Sequence, residues 1–208
     1  DILKLCNVLI RRVEASGVNV VLNTEVTADY IREFDPDALF VAIGSNELVP
    51  PIKGMDLPNV IMAIDAELHK LGERVAIIGG GLVGAEAAVS FAHEGKKCSI
   101  IEMKHEVAEE VNSFYRGGLM PHVKESAALY TDTKVKEICP EGVVCENADG
   151  EFLVEADSVV CAVGFRAPYA TVDEFCDLVD ESYIIGDCNN VAQIYQAMNA
   201  AYWAARNV

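Results

Sequence analysis

The sequence predicts an α/β protein with a doubly wound parallel sheet, and three observations carry that prediction. Short apolar runs alternate along the chain with longer segments of helical spacing. A glycine cluster, Gly79-Gly80-Gly81-Leu82-Val83-Gly84, lies between one such run and one such helix. The chain also repeats itself: Asp-Ala-Leu-Phe-Val-Ala-Ile-Gly at 37–44 answers Asp-Ser-Val-Val-Cys-Ala-Val-Gly at 157–164, with Pro50 and Pro168 following. Upstream echoes pair residues 21–26 with 130–135, and helical segments at about 2–16 and 112–126. The later copy is preceded by a strand, the glycine cluster and a helix, and the earlier copy is not.

Taken in order, Ile2, Leu5, Leu9 and Val13 have helical spacing, and Gly17 is placed to end that helix. Val18–Leu22 reads as a short strand, Asp35-Pro36-Asp37 as a turn, and Ala38–Ile43 as a strand covered on both faces. Leu48-Val49-Pro50-Pro51-Ile52-Lys53-Gly54, running on to Pro58, is the best linker candidate. Arg74–Ile78 and Cys98–Ile101 are strands flanking a helix over Leu82–Glu94, which Gly95 terminates. Residues 111–125 are helical in pattern, although Gly117, Gly118 and Pro121 should break or kink them. Lys134–Ile138, Val143–Glu146 and Phe152–Glu155 form a three-stranded meander with turns at Pro140-Glu141-Gly142 and Ala148-Asp149-Gly150. Ser158–Val163 and Tyr183–Ile185 are strands, and residues 193–206 make an alanine-rich last helix. Taken as two domains, the copies divide the chain into residues 1–66 plus 165–208, a truncated unit, and residues 73–164, an intact unit inserted into it.

The 208 residues are ample for a buried core, and 51% hydrophobic with 24% charged is ordinary for a globular protein. The formal charge of −17 argues against nucleic acid and against anionic membrane surfaces; its simplest reading is solubility. Seven cysteines contain no Cys-x-x-Cys, and Cys98, Cys145 and Cys161 sit inside apolar runs. Buried thiols in a reducing, cytoplasmic setting are the expectation, with no metal site and no dithiol centre. The four histidines are scattered. No signal peptide is visible, and the apolar stretch Val75–Ala92 carries Glu86 and four glycines, which suits a packed core better than a membrane. The acidic run Glu106–Glu110 reads as a solvated face.

The glycine cluster fits Gly-x-Gly-x-x-Gly between strand and helix, the arrangement that binds a dinucleotide in a Rossmann-like fold. Gly79 allows the tight turn, Gly81 lets a pyrophosphate approach the backbone, and Gly84 lets helix and strand pack closely. The helix N-terminus attracts the anion. Glu102 closes the second strand 23 positions after Gly79, where a carboxylate accepts ribose hydroxyls and repels a 2′-phosphate. That argues for NAD over NADP, against the pull of Lys96, Lys97 and Lys104 nearby. The alternative is a degenerate unit without ligand. Glu86, read as lying in the first turn, either stabilises the helix dipole or faces the nicotinamide end of the cofactor. Gly44 and Gly164 end equivalent strands at the ligand-binding edge of a sheet, and their repetition favours ligand proximity over a simple turn role. At Gly186-Asp187 a strand delivers a carboxylate near a helix start; it either binds sugar or ribitol hydroxyls or caps a loop. Tyr195, Tyr202 and Trp203 read as packing residues at a domain or subunit contact, which leaves room for a homo-oligomer.

Ile78–Glu86, Ile101-Glu102-Met103, Ala42-Ile43-Gly44, Ala162-Val163-Gly164 and Ile185-Gly186-Asp187-Cys188 together resemble the pyridine nucleotide–disulfide oxidoreductases. Within them, the likeness is to the C-terminal half of 2,4-dienoyl-CoA reductase-like and old-yellow-enzyme-like NADH:flavin oxidoreductases. The resemblance implies one domain for FAD and an inserted one for NAD(P)H. It implies pyrophosphate at Gly79, Gly81 and Gly84, ribose at Glu102, a nicotinamide-side Glu86, flavin ribitol at Asp187 and FAD near Gly44. Hydride transfer from nicotinamide to flavin needs no side-chain acid or base, so no catalytic residue is expected. The catalytic cysteine pair of the disulfide reductases is absent from the sequence. The FAD glycine loop, a flavin-bearing barrel and iron–sulfur cysteines are expected upstream, which makes the chain a piece of a larger electron-transfer flavoprotein. A module that holds NAD(H) without turnover is the alternative for the chain alone, and glutamate-synthase-type or ferredoxin-reductase-type carriers share most of these motifs.

Overall fold

The computed structural model describes residues 2–208. In chain order the elements are α1 (Ile2–Ala15), α2 (Ala28–Phe34), β1 (Leu39–Val41), β2 (Asn46–Glu47), β3 (Val60–Met62), β4 (Arg74–Ile78), α3 (Leu82–His93), β5 (Lys97–Ile101), α4 (Ser113–Ser126), β6 (Ala127–Tyr130), β7 (Lys134–Cys139), β8 (Gly142–Asn147), β9 (Gly150–Glu155), β10 (Ser158–Cys161), β11 (Phe165–Arg166), α5 (Tyr169–Cys176), β12 (Ser182–Ile184) and α6 (Ile194–Ala204). Two 3₁₀ turns lie at Ala63–Leu68 and Gly186–Cys188. No helix among the described residues is long and apolar enough to cross a membrane. The chain divides into two compact units, one running to Val41 and including Ala170–Tyr183, the other comprising Ala42–Tyr169 and Ile184–Val208.

In the smaller unit α2 is capped by the Thr27 side chain, which accepts from Tyr30 N, and is stopped by Asp35 in the left-handed region at φ 50°. The expected strand at Val18–Leu22 is not formed, and these residues are exposed irregular chain. A strand requires a ladder partner, and among the described residues no strand pairs with this segment. The strand expected over Ala38–Ile43 shortens to β1, which pairs only with β12. It is covered on one face: Val41 is buried, while Phe40 stays partly exposed and stacks on Tyr183 at 5.0 Å.

The larger unit has three layers. Its centre is a five-stranded, fully parallel sheet in the order β3-β10-β4-β5-β6. Alternation along the strands sends Val75, Ile77, Cys98, Ile100 and Val160 to one face, where they pack with Ala85, Ala88 and Phe91 of α3 and Val123 of α4. Ala76, Ile78, Ile101 and Val159 face the other way, onto Ile138, Val143, Cys145 and Val154 of the antiparallel meander β7-β8-β9. The strands are apolar on both faces because both are covered.

Two expectations change here. α4 runs unbroken from Ser113 to Ser126 with Pro121 inside it. Its Asn112 cap accepts from Tyr115 N, and Leu119, Met120 and Val123 pack on the core, so burial outweighs the poor helix formers. The linker candidate is packed chain: Ile52, Met55 and Leu57 lie on the meander core, and Ile138 N donates to Lys53 O at 2.8 Å. Tyr195, Tyr202 and Trp203 are exposed on α6, where Tyr202 meets Trp203 edge-on at 5.3 Å. β3, only three residues long, was not foreseen. At the base of the sheet Arg74 donates to both Asp157 and Glu155, joining the start of β4 to the turn before β10.

Candidate functional site

The site is built where β4 meets α3. Gly79 turns the chain at φ +101°, a conformation glycine adopts without a Cβ penalty, and its N–H donates to Ile101 O at 2.9 Å. A Cβ on Gly79 would overlap the Ala162 carbonyl, and one on Gly84 would overlap the Gly79 carbonyl. Glycine is therefore required for β4, β10 and α3 to approach as they do. Gly81 occupies the cap position of α3, with no side-chain acceptor of its own for the first helical N–H groups.

Glu102, immediately after β5, holds this turn. Its Oε2 accepts from Gly80 N at 2.7 Å and its Oε1 from Lys104 N at 2.8 Å. A carboxylate offers about four lone-pair sites, so acceptor capacity remains on both oxygens. The half-buried side chain reaches a cleft of about 1160 Å³, larger than a typical drug-sized pocket of about 300–1,000 Å³. Gly79, Gly81, Glu102, Gly164 and Asp187 all line this cleft.

The far side of the cleft is made by the turn before α6. Asp187 sits in the 3₁₀ turn Gly186–Cys188, and its Oδ1 accepts from Ala192 N at 3.3 Å. Asp187 thus caps the loop while facing the cleft. Gln193, the cap of α6, makes no side-chain capping hydrogen bond, so the helix start opens toward the cleft that Gln193 and Gln196 line. Gly164, at φ +106°, accepts from Leu48 N at 2.9 Å through its carbonyl. Gly44, Gly84 and Gly186 lie outside the cleft lining. Gly44 and Gly186 both have positive φ, at +72° and +70°.

Glu86 departs from its expected place. It is the fifth residue of α3, in the second turn, and α3 has no acid in its first turn. It does not line the cleft and instead accepts from Tyr115 Oη of α4 at 2.5 Å, which raises the Tyr115 pKa.

The acidic run Glu106–Glu110 is not simply a solvated face. Val107 and Ala108 are buried against the glycine turn, and Ala108 N donates to Gly80 O at 2.7 Å. Arg116 donates to Val107 O and pairs with Glu106 at 2.7 Å. Glu110 Oε1 accepts from Leu82 N, the first N–H of α3, at 3.0 Å. The apolar pair inside the acidic run was the signal that this segment packs back onto the site. Glu47 was also unforeseen; it lines the cleft and accepts from Ile64 N.

Comparison with known proteins agrees with this geometry. The family model for pyridine nucleotide-disulphide oxidoreductases matches residues 7–205. Bilirubin reductase of Mediterraneibacter gnavus (strain CC55_001C) is 36% identical over 192 residues, covering 90% of this chain and 30% of that protein. NADH oxidase of Thermoanaerobacter brockii is 32% identical over 206 residues, covering 92% and 31%. A solved structure of 2-naphthoyl-CoA reductase with 2-naphthoyl-CoA superposes with a TM-score of 0.85 at 31% identity, covering 95% of this chain and 31% of that one. The chain thus spans about a third of the length of these relatives. With the family model matched over nearly all of its length and the glycine turn, its acid and the opposite strand ends gathered in one cleft, the chain belongs to the pyridine nucleotide-disulphide oxidoreductase family.

Proposed function

We propose that this chain is the nicotinamide-nucleotide part of an NADH-dependent flavoprotein oxidoreductase. The observation that carries the reading is the single cleft running from the glycine turn and Glu102 to Asp187 and the start of α6. It offers one end to a dinucleotide and the other to a flavin. The residues fit both groups: Gly81 puts no side chain over the start of α3 where a pyrophosphate would approach, Glu102 retains acceptor capacity for ribose hydroxyls, and Asp187 faces the cleft beside an uncapped helix start. When bound, nicotinamide would supply a hydride and flavin would accept it; the protein's part is to bind and orient the two and exclude water. In this reading Gly79, Gly81 and Gly84 shape the pyrophosphate site, Gly164 lets the ligand approach the sheet edge, and Asp187, Gly44 and Gly186 belong to the flavin side. Glu86 belongs to the nicotinamide side, with its carboxylate accepting from Tyr115 Oη of α4.

The preference is for NAD over NADP. Glu102 and Glu106 line the cleft near the adenosine ribose position, and Lys104 is engaged with Glu109 at 3.5 Å. Residues 73–164 then form the NADH domain, inserted between residues 1–66 and 165–208 of the flavin domain. Relatives named reductases, among them one that acts on a naphthoyl-CoA thioester, support a 2,4-dienoyl-CoA reductase-like or old-yellow-enzyme-like assignment, with a flavin-bearing barrel and an iron–sulfur segment elsewhere in the same protein. The test is the visible spectrum of the intact protein, reconstituted with FAD and titrated anaerobically with NADH. Bleaching of the flavin band is expected. A flavin band that NADH leaves unchanged, although NADH binds, reduces the chain to a holding module.

A further inference from the structure

Helix α3 lacks its own N-terminal acceptor, since Gly81 has no side chain and no acid occupies the first turn. The acceptor comes from 28 positions away: Glu110 Oε1 takes the Leu82 N–H at 3.0 Å. The absence of a side chain on Gly81 is what admits it, because a Cβ there would lie 2.9 Å from that same oxygen. The carboxylate therefore occupies the place where a helix N-terminus receives a phosphate. Its backbone is fixed on both sides by buried Ala108 and Val111 and by the Ala108 N to Gly80 O bond. Its side chain is exposed, so rotation about side-chain bonds alone vacates the position.

We propose that Glu110 is a built-in placeholder for the cofactor pyrophosphate, seated on the α3 N-terminus in the free protein and displaced when the dinucleotide binds. The inference rests on the dinucleotide reading above and adds a regulatory element to that site. Two anions cannot share one helix start at contact distance without strong repulsion. An intramolecular carboxylate is present at high effective concentration, so small free anions displace it poorly. A dinucleotide, held also at Glu102 through its ribose, displaces it with that second anchor. The placeholder thus lowers affinity for every pyrophosphate ligand and filters out those without an adenosine.

The test uses the intact protein with Glu110→Ala and, as a fold-preserving partner that keeps an uncharged acceptor, Glu110→Gln. Dissociation constants are measured for NADH, inorganic pyrophosphate and adenosine, the last two by competition with NADH. Removing the competing carboxylate should tighten NADH and pyrophosphate about tenfold in the alanine variant and less in the glutamine variant, the scale of a capping charge at a helix end. Adenosine, which has no phosphate, should be unchanged. Equal or weaker NADH binding in both variants overturns the placeholder, as does an equal gain for adenosine. Absence of NADH binding in the wild-type protein and both variants removes the dinucleotide reading and the placeholder with it.

Discussion

Gly84→Ala and Gly117→Ala are the same substitution in two helices and should act with opposite signs. In a helix interior alanine is favoured over glycine by about 0.8–1.0 kcal/mol. At Gly117 of α4 a new Cβ meets nothing within 4 Å, so that preference should appear almost undiminished. At Gly84 the Cβ would overlap the Gly79 carbonyl oxygen and touch Ile77 Cγ2 at 3.3 Å. Neither neighbour yields easily, since Gly79 is held through its N–H to Ile101 O and Ile77 is fully buried. Relief requires α3 to move away from β4 by about an ångström, and overpacking of this kind costs about 1–3 kcal/mol, which exceeds the propensity gain. Urea denaturation at constant m-value should show Gly117→Ala stabilised by roughly 0.5–1 kcal/mol and Gly84→Ala destabilised by about 1–2 kcal/mol. The moved helix start should also weaken NADH. A Gly84→Ala variant as stable as wild type would refute the close packing of α3 on the glycine turn.

Three other outcomes follow from the geometry. Glu102→Ala removes the acceptor of Gly80 N and Lys104 N as well as the proposed ribose contact, so NADH affinity measured by calorimetry should fall by about 1–3 kcal/mol, and an unchanged value removes the ribose assignment. Asp157 is held at a pKa of about 2 by hydrogen bonds from Arg74, below its ordinary 3.8. Its stabilisation is complete above the unfolded value and is lost as pH falls through the folded one, so stability measured between pH 4 and 2 should decline less in Asp157→Asn than in wild type. Burial pushes the Cys98 and Cys145 thiols up to about 11, whereas Cys6 is exposed. Mass spectrometry after mild alkylation at pH 8 should find Cys6 modified and those two untouched; labelling of Cys98 or Cys145 in the folded protein would contradict the packed sheet.

What the sequence alone determined is what local chemistry and periodicity encode. The apolar runs at Arg74–Ile78 and Cys98–Ile101, the glycines between them, and the hairpin turns of the meander are each specified by neighbours a few residues apart, and they appear within a residue of where expected. Glu102 was legible because its distance from the glycine turn is set by one strand–helix–strand unit. What tertiary structure decided depends on groups distant in the chain. Val18–Leu22 has strand-like residues, but among the described residues no strand pairs with it, and pairing energy resides in the pair. Pro121 looks like a helix breaker until Leu119, Met120 and Val123 bury against the sheet. The run from Glu106 to Glu110 reads as solvated charge because a carboxylate's partner is invisible in its own segment; the Leu82 N–H that Glu110 takes is exposed only once β4 has turned at Gly79 into α3. The partner of Glu86 is hidden for the same reason: its spacing from the glycines was readable, but that Tyr115 of α4 donates to it is settled by the packing of one helix on another.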